Sequence, residues 1–142
     1  MSQIYDLLRE YGWPRNNPYS FEEFSKKFAE FGVVLSDKAF EIAVQFDDLV
    51  GTFCSFHQNV HFDVVGFLPD YEGCGVSETS RIVGKDLIPI ASDSDGYIWL
   101  VASDGSIYTD WSGIVCLQGD NIISALEGAM NRYEGIRLDS PE

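Results

Sequence analysis

Residues 87–118 read LIPIASDSDGYIWLVASDGSIYTDWSGIVCLQ, and this stretch decides the fold. Asp95-Gly96 and Asp104-Gly105 are turn signals, because Asp tolerates positive φ and Gly adopts it without steric cost. Between them Tyr97-Ile98-Trp99-Leu100-Val101-Ala102 is apolar at every position, the pattern of a central strand covered on both faces. Ser106 to Trp111 is β-branched and aromatic and makes the next strand. The near-repeat SDG-Tyr-Ile-Trp and SDG-Ser-Ile-Tyr recurs at no fixed period elsewhere, so the stretch predicts an antiparallel meander and not a solenoid.

Outward from the meander, the N-terminal third is helical in pattern. Ile4, Leu7, Leu8 and Tyr11 form one stripe that Gly12 ends, and Trp13 to Pro18 is a loop. Ser20 with Glu23 makes a capping box, with Tyr19 and Phe24 as its staple. Phe21, Phe24, Phe28 and Phe31 follow at helical spacing and are expected in the core. Ser36 caps a third helix, with Leu35 and Phe40 as staple and Phe40, Ala43, Val44 and Phe46 as its buried face. Asp47-Asp48 at its end opposes the helix macrodipole.

Gly51–Phe56 and Val60–Val65 read as strands. Gly66–Glu78 reads as irregular, and Ser80–Gly84 as a short edge strand. Asp120 is placed to cap a closing helix carrying Ile122, Ile123, Leu126, Ala129, Met130 and Tyr133 on one face. From Gly135 the chain is expected to fray. The expected architecture is α+β in one domain over residues 1–142. An antiparallel meander carries helices packed on one face, with N-terminal helices and a C-terminal closing helix.

Charge is the informative part of the composition. Nine basic residues face 23 acidic ones in 142 residues, a net charge of −14. Such a surface repels nucleic acid and anionic membranes. It attracts a basic protein and speeds that encounter, although acidity also serves solubility alone. No signal peptide or spanning segment is legible, so a cytoplasmic protein is expected. Cys54, Cys74 and Cys116 have no paired spacing, and buried reduced thiols are expected.

Motifs for chemistry are weak. His57 and His61 form an H-x3-H pair in a β-rich region, short of the three or four ligands that zinc needs. A metal-dependent enzyme built on them is the least favoured reading. Asp93-Ser94-Asp95-Gly96 lacks the register of a calcium loop and reads as a turn. No nucleophile elbow or phosphate loop is present. No enzymatic activity, no cofactor and no metal are expected. Trp99 reads as core. Trp111, beside Asp110 at a strand end, reads either as the cap of a core or as part of a binding patch.

The order of these features resembles the SUKH superfamily, in particular its third subgroup. Gly12-Trp13-Pro14-Arg15 matches an initial Gly-Trp-Pro/Gly-Arg element. Phe46-Asp47-Asp48-Leu49 stands where a Phe-Gly-Gly-Leu-like element closes a helix, with Asp in place of both glycines. Pro89-Ile90-Ala91 stands for Pro-Ile-Gly. Leu100, Asp104-Gly105, Ile107 and Tyr108 match the strand and turn, and Ala125-Leu126-Glu127 matches the closing helix. The resemblance implies a non-enzymatic bacterial immunity protein that binds a cognate toxin domain, with a basic nuclease as the expected kind. Other members are interaction modules, so an adaptor with no toxin partner is the alternative. The candidate contacts are carboxylates at turns and strand ends, Asp70, Glu72, Asp93, Asp95, Asp104 and Asp110, with Trp111 as aromatic anchor.

Overall fold

The computed structural model describes residues 3–54, 57–66, 76–131 and 135–139. Among these described residues five helices flank one sheet of seven strands. They are α1 (Gln3–Glu10), α2 (Phe21–Glu30), α3 (Asp37–Phe46), α4 (Val76–Val83) and α5 (Ile122–Met130). The strands are β1 (Val50–Gly51), β2 (Val60–Phe62), β3 (Leu87–Ser92), β4 (Tyr97–Ala102), β5 (Ile107–Trp111), β6 (Ile114–Gly119) and β7 (Ile136–Arg137). All seven pair antiparallel in chain order, with β4 in the middle. The fold is therefore α+β, with the meander at its centre.

The two turn glycines adopt the left-handed conformation that the sequence demanded, at φ 92° for Gly96 and 93° for Gly105. Pro89 sits within an interior strand, where its missing N–H would normally break a ladder. The register shifts between Pro89 and Ala91. Ile90 and Ala91 both reach the larger core through this irregularity, and the Ile90 carbonyl accepts from Asp63 N.

Alternation along the strands divides the interior in two. Ile88, Trp99, Val101 and Ile107 point to the larger core, with Ile4 and Leu8 of α1, Phe28 of α2, Phe46 of α3 and Leu126 of α5. Leu87, Leu100, Ala102 and Tyr108 point the other way and are covered by Val76 and Val83 of α4. Helix α4 replaces the edge strand expected at Ser80–Gly84. Val76, Thr79 and Val83 follow helical spacing, and β-branched content disguised it. The sheet thus carries helices on both faces, four on one and α4 on the other.

Several local expectations change. The phenylalanine stripe is only partly core: Phe28 is fully buried, while Phe21 and Phe31 are 40% and 46% exposed. Cys54 and Cys116 are only half-buried, and Cys74 lies outside the described residues. The N-cap of α5 is Asn121 and not Asp120, its side chain accepting from Ser124 N at 2.8 Å. Within the tail expected to fray, Ile136 and Arg137 form β7, where Arg137 pairs with Asp139 at 2.9 Å and Asp139 accepts from Val115 N, while residues 140–142, like Tyr133, lie outside the described residues.

The helix starts hold. Ser20 Oγ accepts from Glu23 N and Ser36 Oγ from Ala39 N, and Tyr19 packs on Phe24 with ring centroids 4.5 Å apart. Ser36→Ala is expected to lower stability by about 1 kcal/mol, read as a lower urea midpoint at unchanged slope.

Candidate functional site

The candidate contacts do not form one patch. Asp70 and Glu72 lie outside the described residues. The remaining five divide between the two ends of the sheet, because successive turns of a meander alternate ends. Asp93 and Asp95 occupy the β3–β4 turn, at the same end as the β5–β6 turn that follows Asp110 and Trp111. Asp104 lies in the β4–β5 turn at the other end.

Asp93 is a structural residue. Its side chain is inaccessible and its Oδ2 lies 2.9 Å from His57 Nδ1. Its Oδ1 accepts from Asp95 N and Tyr97 N, each at 3.0 Å, and so shapes the turn. Asp110 is also committed. Its Oδ2 accepts from Thr79 Oγ1 of α4 at 2.5 Å, and its Oδ1 from Gly113 N. Adjacent strand residues face opposite sides, so Asp110 meets α4 while Trp111 stands over Tyr97 on the other face. The expected pairing of Asp110 with Trp111 is not formed.

Asp104 is exposed and salt-bridged to Lys85 Nζ at 2.8 Å. The hydrogen bond from Lys85, with those from Ser106, holds its carboxyl well below the usual carboxylate range. Lys85 also stands over the Tyr108 ring, 5.7 Å from its centroid.

At the other end Asp95 and Trp111 do come together. Trp111 Nε1 donates to the Asp95 carbonyl at 2.9 Å. Asp95 Oδ2 accepts from Gln58 N, and Ser94 Oγ donates to the Gln58 carbonyl, which ties the β3–β4 turn to the loop before β2. The Trp111 and Tyr97 rings lie near parallel, 24° apart with centroids at 6.0 Å. Tyr97 meets His57 edge-on at 4.4 Å, and His57 meets Trp99 at 5.0 Å. A row of rings therefore runs from fully buried Trp99 to Trp111, which is 42% exposed. Sequence reasoning found the two ends of this row. It missed Tyr97 and His57, which strand alternation from Trp99 and Trp111 partly reveals.

The histidine pair does not converge on a ligand set. His57 bonds Asp93, while His61 lines a small cleft with Asp63, Gly66 and Ser92. Among the described residues no three His, Cys, Asp or Glu side chains are placed to hold a metal ion. Two larger clefts lie at the Asp104 end. One of 380 Å³ runs between Val33, Val34, Asp86 and Ser103. The other, 520 Å³ and shallow, includes Arg81 and Lys85, which are paired with Glu78 and Asp104.

A further acidic group marks the end of α3. Asp47 is 3% exposed, and its Oδ1 accepts from Val64 N at 3.0 Å. Burial pushes its carboxyl up to about 7, with added repulsion from Asp63 and Asp48, against the lowering effect of the Val64 and Tyr19 hydrogen bonds. Burial also raises the Tyr19 hydroxyl, and the nearby aspartates reinforce this. Asp48 adopts φ 71°, the left-handed conformation that glycine would supply, and its N–H donates to the Phe62 carbonyl at 2.9 Å. Among the described residues no helix is long and apolar enough to cross a membrane. Searches with the chain match no family model, no curated protein and no solved structure.

Proposed function

We propose that this chain is a non-enzymatic cytoplasmic immunity protein of the SUKH kind. It binds and neutralises a basic bacterial toxin domain, a nuclease by preference, through its acidic surface. The observation that carries this reading is the imbalance of 23 acidic against nine basic residues. A nuclease must hold phosphates, so its site is basic, and an acidic protein imitates the field of the substrate. The half-exposed, hydrogen-bonded Trp111 supports the reading, since fixed aromatic anchors commonly dominate protein interfaces.

The test is co-expression with the toxin domain encoded beside this gene. Growth is expected to be restored and the two proteins to co-purify. The association rate is expected to fall by at least about tenfold from low to high salt, as screening removes the steering field. A complex that forms at a rate indifferent to salt would remove the acidic surface from the account. Failure both to rescue and to bind would sink the immunity reading, and the same fold as an adaptor for a host protein would take its place.

A further inference from the structure

We propose that Trp111 and Asp95 form a seat for an arginine side chain presented by a basic partner. The seat rests on the reading above only in taking the partner to be basic.

The chain itself supplies the pattern. At the β4–β5 end, Lys85 stands over the Tyr108 ring at 5.7 Å and bonds the Asp104 carboxylate at 2.8 Å. Ring, carboxylate and cation there form a closed set. At the opposite end Trp111 and Asp95 are joined through the Trp111 Nε1 bond to the Asp95 backbone carbonyl, and among the described residues the exposed Asp95 carboxylate accepts through Oδ2 from Gln58 N alone, which leaves Oδ1 for a cation. Among the described residues no lysine or arginine forms an ion pair with Asp95 or stands over Trp111. The cation is the missing member of the set, and an external one completes it.

The seat is also held in place before any partner arrives. The indole is fixed by its N–H bond and by the near-parallel Tyr97 ring, and Tyr97 rests against His57, itself bonded to buried Asp93. Gly96, held at φ 92°, lies in ordinary contact with the indole, at 3.5 Å from its Nε1 for an ideal Cβ. An anchor whose rotamer is already set loses little entropy on binding. Arginine suits it better than lysine, because a planar guanidinium stacks on an indole while its edge donates to a carboxylate.

The experiment uses the full chain labelled with nitrogen-15 and three capped peptides, acetyl-Gly-Arg-Gly-Arg-Gly-amide and its lysine and glutamate counterparts. The indole N–H signal of Trp111, assigned by its loss in Trp111→Phe, is read beside those of Trp13 and Trp99. The arginine peptide is expected to shift the Trp111 signal saturably while the other two indoles stay still. The lysine peptide should bind more weakly and the glutamate peptide not at all. Trp111→Ala and Asp95→Asn are each expected to weaken the arginine peptide by at least about threefold, with the remaining amide spectrum showing an intact fold. Shifts spread over the acidic surface with Trp111 unmoved, or unchanged affinity in both variants, would overturn the seat. A toxin complex that rescues growth yet keeps its affinity with Trp111→Ala would remove the seat and leave the immunity reading standing. Peptide binding at Trp111 without toxin rescue would do the reverse.

Discussion

Asp47→Asn is expected to stabilise the protein by about 2–4 kcal/mol at pH 8 and to leave its stability at pH 3.5 nearly unchanged. In the folded chain the Asp47 carboxyl is pushed up to about 7, mainly by burial, from an ordinary value of 3.8. Below about pH 4 it is protonated in both folded and unfolded chains and contributes no pH dependence. Between pH 4 and 7 the unfolded chain releases this proton while the folded chain keeps it, so stability falls as pH rises. Above pH 7 the full penalty applies, at about 1.4 kcal/mol for each decade of proton affinity. Asparagine keeps an oxygen to accept from Val64 N and carries no charge to bury. Urea unfolding of both proteins from pH 3.5 to 8 gives a difference curve that should rise across that window. A flat difference curve would show that the Asp47 carboxylate is not destabilised by burial. Asp47→Ala is the control: it also removes the charge but leaves Val64 N without its acceptor.

The second large effect has the opposite sign. Asp93→Ala is expected to lower stability by about 3 kcal/mol at pH 7, since it strands buried polar groups and replaces them with nothing. The carboxylate accepts from Asp95 N and Tyr97 N and lies 2.9 Å from His57 Nδ1, with no access to solvent. Asp93→Asn retains an acceptor for the turn and should lose about half as much. The ring row beyond it depends on this residue, so the near-ultraviolet circular dichroism of Tyr97 and Trp111 should weaken in Asp93→Ala even under conditions where the protein stays folded. A loss below about 1 kcal/mol would show that the turn and His57 are held by other contacts.

These two aspartates also show where sequence reading reaches its limit. The meander, its two Asp-Gly turns and the Ser20 and Ser36 caps rest on interactions between residues a few positions apart, and periodicity and turn chemistry reveal such features. Asp93 before a turn looks like any other turn carboxylate. Its partner His57 is 36 positions away, and nothing local announces the pair. Asp47 similarly meets Val64 across 17 positions. Helix α4 was missed for a different reason, since Val76, Thr79, Ile82 and Val83 favour strands by type while their spacing favours a helix. The candidate contacts other than Trp111 share acidity and a place at turns or strand ends, which are features local to the sequence. Burial then separated Asp93 and Asp110, which stabilise the protein, from Asp95, which stands beside an exposed ring.

The strand order of the sheet also sets how the molecule comes together. Every ladder joins strands that are neighbours along the chain, so the four strands from Leu87 to Gly119 can form as successive hairpins across tight turns. Short loops of this kind close fast and at little entropic cost. The contact between α1 and α5 is different, because it draws together segments that flank all seven strands but the last. Helix α1 therefore packs against α5 through contacts that are distant along the chain. Its release would expose Ile4, Leu8 and their counterparts on α5 without first unpairing the meander. The region around Trp111, seated on the innermost hairpins, would be the last to feel that opening.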